Sequence, residues 1–326
     1  MTATLSFTRR HALASTLAAL VAPAWAQAAK TRRIVVPFAP GGGNDVFARQ
    51  LANGLNTAFQ QNFIVENKPG AGGNLGTEFV VRAPGDGATL LLGHTGTVSI
   101  NPALYPQLKF APQKDLQPVA MFASSALLLV VPASSPIQTM ADLLAAAKKD
   151  RGALNYASSG SGTGGHLTGE LFAHMLGIKM AHIPYKGTNP ALTDVAGGQV
   201  DLMFSVIPAA LALVRSGKLR ALAVTSAQRL AQLPQMPTIA ESGMPALAQF
   251  ESTLTYGLLA PKSLAAAEVE RLSRQILQVA GTAPFQSKLG VEGAEPLLGD
   301  AQAYALRIRK ETAKWAAVVK ASGATV

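Results

Sequence analysis

Four stretches of this 326-residue chain hold most of its capacity for chemistry, and all four are built from glycine and small polar residues. Pro40–Asp45 (PGGGND), Pro69–Asn74 (PGAGGN), Gly93–Thr97 (GHTGT) and Ser158–Gly165 (SSGSGTGG) offer backbone N–H groups with little side-chain bulk in front of them. Where such a loop runs into a helix, the first unpaired N–H groups of that helix face the loop and favour an anion. Ser159, Ser161 and Thr163 add hydroxyl donors. Lys186 adds a cation, read equally as an anion partner or as a solvated loop lysine.

Catalysis would need a nucleophile, an acid or base, or a metal among these loops. GxSxG is absent around Ser159 and Ser161, GxxxxGK[ST] is absent throughout, and the Gly41–Gly43 loop lacks GxGxxG. The chain has no cysteine, which excludes thiol catalysis, disulfides and cysteine zinc sites. Its five histidines show no metal-ligand spacing, and His166 and His174 stand eight apart. His94 and His166 lie in or beside loops and read as hydrogen-bonding or packing residues before catalytic ones. Asp45 reads as a residue that fixes its loop or, with Asn44, caps the following helix. No cofactor and no metal is called for. What remains is a reversible anion trap, and carboxylates suit it because each oxygen accepts several hydrogen bonds.

The elements that must position these loops follow from periodicity. Ile34–Val36 with Phe38 is a β-branched core strand expected to stop at Pro37. Phe47, Leu51, Leu55 and Phe59 recur every four residues, predicting a helix over 45–61. Short strands at Phe63–Val65 and Thr89–Leu92 each end in one of the loops, which gives the alternation of a parallel α/β sheet with ligands at the strands' carboxyl ends. Leu127–Val131 is a further strand, and Thr139 caps a helix to Lys149. A second α/β unit then repeats the scheme: a strand at Leu154–Ala157, the glycine loop, a helix over 166–176, and a strand at Met180–Pro184. Asn189-Pro190 is expected to cap and open the next helix. Strands at Val200–Phe204, Leu219–Thr225 and Thr253–Leu259, a helix capped by Ser263, and a closing helix over 301–320 complete the chain.

Hydrophobic residues make up 48% of the chain and charged residues 14%, which excludes a disordered protein. The formal charge is +10, but lysine and arginine are scattered in runs no longer than two, so no nucleic-acid module is indicated. Residues 1–26 read as a secretory leader: Arg9-Arg10, a short apolar run over 12–21, and Ala24-Trp25-Ala26 as the cleavage pattern. Cleavage after Ala26 implies an exported protein, with the Sec and twin-arginine routes both open.

Taken in order, several segments resemble one family: Val36–Asp45 (VPFAPGGGND), Glu66–Asn74 (ENKPGAGGN), Gly93–Tyr105, Asn155–Leu171 (NYASSGSGTGGHLTGEL), Ile183–Leu192 (IPYKGTNPAL) and Gly197–Phe204 (GGQVDLMF). Pro237–Pro245 and Tyr256–Pro261 extend the likeness over essentially all of the chain beyond the leader. The family is the Bug family, the periplasmic substrate-binding proteins of tripartite tricarboxylate transporters. The resemblance implies an α/β fold of the type II periplasmic binding protein class, a two-lobed Venus flytrap hinged on two crossing strands. Lobe 1 would hold 30–125 and 255–326, and lobe 2 would hold 126–254.

It also implies a non-enzymatic, monomeric receptor that closes on a small organic anion and presents it to an inner-membrane permease. A clamshell that docks on a signalling receptor and an exported α/β enzyme are the rival readings. Carried over by residue, Phe38 packs on the ligand, and Pro40, Gly42, Gly43, Asn44, Asp45, Gly73 and Asn74 shape its polar end. Thr95, Thr97 and Asn101 line the same side. Ser159, Gly160, Ser161, Gly162, Thr163 and His166 meet the ligand from the second lobe, beside Lys186, Gly187 and Thr188. Ser205 stands where the family often has aspartate, which disfavours ligands with an amino group.

Overall fold

The computed structural model describes residues 31–149 and 154–324. The expected leader lies outside the described residues. Strand β1 (Thr31–Val36) buries Ile34, Val35 and Val36 completely and stops before Pro37. It lies between β2 (Asn62–Asn67) and β3 (Thr89–His94), parallel to both. The loops after all three strands therefore leave the sheet at one end. Strand β9 (Thr253–Pro261) runs antiparallel between β3 and the 17-residue β4 (Leu116–Pro132).

Strand β4 is shared between two sheets. Its residues 116–126 pair with β9, and residues within that stretch pair with β10 (Ala294–Gly299). Its residues 127–132 pair with β7 (Leu202–Val206) and β8 (Leu219–Val224). Strand β7 continues the second sheet in parallel to β5 (Asn155–Ser158), which is parallel to β6 (Ala181–Pro184). The chain thus passes from one sheet to the other at Ala126–Leu127 and returns at Ser252–Thr253. Thr225 ties these two passages together: its hydroxyl donates to Ser252 O (2.6 Å) and accepts from Leu127 N–H (2.8 Å).

Helix α1 (Gly43–Phe59) buries Phe47, Leu51 and Leu55, three of the four aromatic and leucine positions read from the sequence. Phe59 packs partly buried at the edge of the same core. Among the described residues the other helices of eight residues or more are α2 (Asn74–Val81), α3 (Met140–Lys149), α4 (Gly164–Leu176), α5 (Thr188–Ala196), α6 (Ile207–Arg215), α7 (Ala266–Ala280), α8 (Ala283–Val291) and α9 (Ala301–Ser322). On α9, Tyr304, Ile308, Glu311, Trp315 and Val318 are buried at spacings of four and three, a single helical stripe that contains one acid.

Several expectations are corrected. The N-cap of α1 is Gly42, not Asn44 or Asp45, because Asp45 sits in the first turn and reaches back to the loop. Asn189-Pro190 lies inside α5, whose N-cap is Gly187. Ala265, not Ser263, precedes α7; Ser263 instead packs against the Gly85 turn. His94 ends β3 rather than lying in a loop. Strand β10 and helix α8 were not expected from the sequence, since Pro296 and a register shift at Pro296/Gly299 blur the strand's alternation. Thr139 does cap α3, accepting from Asp142 N–H at 3.1 Å.

Candidate functional site

The Gly41 loop is held by a buried acid. The Asp45 carboxylate accepts from Gly41 N–H (3.0 Å), Arg49 Nε (2.9 Å) and Asn67 Nδ2 (2.9 Å), and Asn67 also donates to Phe38 O (3.1 Å). Burial alone would raise the Asp45 carboxyl, but the bonds from Arg49, Gly41 and Asn67 outweigh it and hold it below the usual range. Asp45 therefore shapes the loop and is spent on it. Asn67 was not singled out in the sequence, because an asparagine at a strand end carries no pattern of its own.

Beside this loop, Phe38 stacks on His94 with ring centroids 4.9 Å apart. His94 Nδ1 accepts from Gly96 N–H (2.7 Å), and burial lowers its pKa from 6.5 to about 4, so the ring is neutral. Gly73 closes the group. A Cβ there would fall 2.6 Å from Thr97 Cγ2 and 3.1 Å from Phe38 Cζ, and its φ of +92° disfavours any other residue. Asn101 Nδ2 donates to Asn74 Oδ1 (2.7 Å) and Gly72 O (3.0 Å), joining the second loop to the turn after β3. That turn is a π-helix, Gly96–Ile100, a form that recurs at functional sites. Thr97 bonds back to the backbone of His94. Thr95 faces away: its hydroxyl donates to the buried Glu311 (2.9 Å), which also accepts from Thr255 (2.6 Å) and Arg307 (2.7 Å).

In the second half, the Ser158–Gly165 loop rests on a pair of stacked imidazoles. His166 and His182 lie 3.9 Å apart, centroid to centroid, at 15°. His166 Nδ1 accepts from Gly162 N–H (3.1 Å), which places its proton on Nε2. Ser158 Oγ bonds His182 Nε2 (2.7 Å) and accepts from Gly160 N–H (3.1 Å). Burial, then the neighbouring His182, lowers His166 to about 3, and burial lowers His182 to about 4. Both rings are neutral and act as a base plate for the loop. Thr163 Oγ1 donates to Gly160 O (2.7 Å). Gly160 and Gly162 thus turn their N–H groups inward. The N–H groups and hydroxyls of Ser159 and Ser161 have no protein partner among the described residues and are free to donate.

The two halves meet. Gly162, at φ +79°, lies against Leu104 and Tyr105, and a Cβ would fall 3.0 Å from Leu104 Cδ2. Pro40, Gly41, Gly42 and Gly43 from the first half and Lys186, Gly187 and Thr188 from the second line one cavity of about 440 Å³. Val206, Tyr256 and Glu292 also line it and were not foreseen. Ser205 is buried (1% exposed), with its hydroxyl turned to Val206 O (3.3 Å), so the residue that faces the cavity is Val206. The strand register that decides this was not readable from the sequence.

Residues 47–324 match the family model described as the tripartite tricarboxylate transporter family receptor. The protein BugT of Bordetella pertussis is 34% identical over 297 residues, 91% of this chain and 90% of BugT. Among solved structures, R. palustris Rpa4515 with adipate superposes with a TM-score of 0.81 at 35% identity, covering 91% of this chain and 98% of that one. MatC from Rhodopseudomonas palustris with bound malate gives 0.76 at 30% identity, covering 89% and 98%. The two-sheet architecture with its shared β4 is accordingly the two-lobed periplasmic binding protein fold expected from the sequence.

Proposed function

The chain belongs to the receptor family of the tripartite tricarboxylate transporters, and from that membership we propose that it captures a small organic carboxylate between its two halves and delivers it to the membrane permease of such a transporter. Proteins of this family are periplasmic binding proteins. The observation that carries the reading is the cavity shared by Pro40–Gly43 and Lys186–Thr188, which receives loop backbone from one half and a helix start from the other. A carboxylate held by N–H groups and hydroxyls is bound without a buried full charge opposite it. His94 and His166, the residues an exported enzyme would use, are neutral and each already accepts a backbone N–H through Nδ1. That supports reversible binding over turnover.

In this reading, residues 1–26 are a leader cleaved after Ala26, 30–125 with 255–326 form lobe 1, and 126–254 form lobe 2. The lobes pivot at the two passages tied by Thr225, and ligand binding shifts an open–closed equilibrium. The receptor works as a monomer. Pro40, Gly42, Gly43, Lys186, Gly187 and Thr188 border the ligand; Phe38, Gly73, Thr97, Ser159 and Ser161 do not line that cavity in this structure and join them as the lobes close. Asp45, Thr95, Asn101 and His166 hold the loops that do so.

A thermal-shift screen of refolded, ligand-free protein against small carboxylates, amino acids and amides tests the proposal. A ligand that binds only the native state stabilises it by RT ln(1 + [L]/Kd), so carboxylates should raise Tm with no product formed. Hits confined to uncharged compounds, or a carboxylate that is consumed, would refute it.

A further inference from the structure

Val206 breaks two local rules at once. It is the N-cap of α6, a position where serine, threonine, aspartate or asparagine supplies an acceptor to the helix, and here no side-chain cap is made. It is also a large apolar side chain that remains 39% exposed. Positions that forgo local stability in this way are expected at functional sites. The surface that Val206 exposes borders the cavity described above, where it stands beside Pro208 and Ala209, with Phe47 and Tyr256 also in the lining. Phe47 and Tyr256 are locked edge to face at 4.8 Å. The hydroxyl of Ser205, the adjacent polar group, is turned to the backbone. Lys186 and Glu292 contribute one charge of each sign to the lining, so the cavity as a whole has no net charge.

Resting on the carboxylate reading above, we propose that Val206 is a specificity-determining residue that selects carboxylates with an unsubstituted hydrocarbon body and rejects those carrying hydroxyls. A methylene placed against Val206, Pro208 and Ala209 leaves water for an apolar wall. A ligand hydroxyl in the same place loses its water, and none of these three side chains offers it a hydrogen bond.

The test is calorimetric titration of the full mature protein, refolded free of ligand, with succinate, adipate and malate, and the same titrations on Val206→Thr and Val206→Ala. Affinity should rise about fourfold per buried methylene, so adipate should exceed succinate by about fifteenfold. Malate should bind at least about fivefold more weakly than succinate. Val206→Thr keeps the shape but adds a hydroxyl that can cap α6. It should raise Tm by about 2 °C, weaken adipate and narrow the succinate–malate gap. Val206→Ala should weaken adipate while keeping the discrimination against malate. Malate binding as tightly as succinate, or Val206→Thr leaving all three affinities unchanged, overturns this assignment and leaves the carboxylate reading intact. If neither these three nor any other carboxylate binds, both fall together.

Discussion

Replacing His94 with glutamine removes a titration while keeping an acceptor for the Gly96 N–H. In the folded chain burial lowers His94 to about 4, against 6.5 for an exposed imidazole. Between those values the unfolded chain takes up a proton that the folded chain refuses, so stability falls as pH falls. The contribution is fully present above pH 6.5 and is lost as pH drops toward the folded value. From pH 7.5 to 4.5, integrating this difference gives a loss of about 2.5 kcal/mol from His94 alone. His166 and His182 act in the same direction but are common to both proteins, as are the carboxylates.

Urea unfolding at the two pH values, followed by tryptophan fluorescence, reads the difference. Trp315 is buried in the core and, with residues 1–26 absent, is the sole tryptophan. His94→Gln also forfeits stacking on Phe38, a cost of about 1 kcal/mol that does not depend on pH. The variant should therefore be less stable at pH 7.5 and should lose about 2.5 kcal/mol less than wild type on going to pH 4.5. Identical pH dependence in the two proteins would mean that His94 takes up its proton in the folded state, and the burial argument would be wrong.

Ser159→Ala with Ser161→Ala should weaken carboxylate binding by about 1.5–3 kcal/mol for each charge-assisted bond lost, with unchanged urea midpoints; unaltered affinity by calorimetry would remove this loop from the site. Asp45→Ala should free the Gly41 loop and leave Arg49 without its carboxylate, with only the bond to Asn67 remaining, costing about 1–3 kcal/mol of stability together with affinity, and a variant as stable and as tight-binding as wild type would contradict the loop's dependence on that carboxylate. Gly73→Ala must place a Cβ 2.6 Å from Thr97 at φ +92°, so it should lose about 1–3 kcal/mol of stability, measured by thermal unfolding. Intact mass of the secreted protein should begin at Gln27, and retention of residues 1–26 would refute the cleavage site.

Much of the fold was legible locally. Ile34–Val36 announced a core strand by β-branching, and Phe47, Leu51 and Leu55 announced the buried face of α1. The glycine loops could be read as donors because glycine removes side-chain bulk whatever the surrounding fold. Caps were less legible. Asp45 has the chemistry of a cap, yet its partners are Arg49 one turn on and Asn67 on another strand. The stacked His166 and His182 stand sixteen residues apart on different elements, and His182, on a strand of four residues, showed no pattern of its own.

The alternation of strand, small-residue loop and helix is written locally in the chain, because period, β-branching and glycine act over a few residues. Glycine and small polar residues at the strand ends likewise mean that these loops offer backbone N–H groups, with no cysteine and no metal-spaced histidines among them. Only the tertiary structure shows which candidate faces the cavity. Side chains alternate along a strand, so one step of register separates the buried Ser205 from the exposed Val206. That register is set by pairing with β4, where Leu128 opposes Ser205 and Leu127 opposes Val206. Pairing of this kind joins residues far apart in the chain, and no short stretch of sequence carries it.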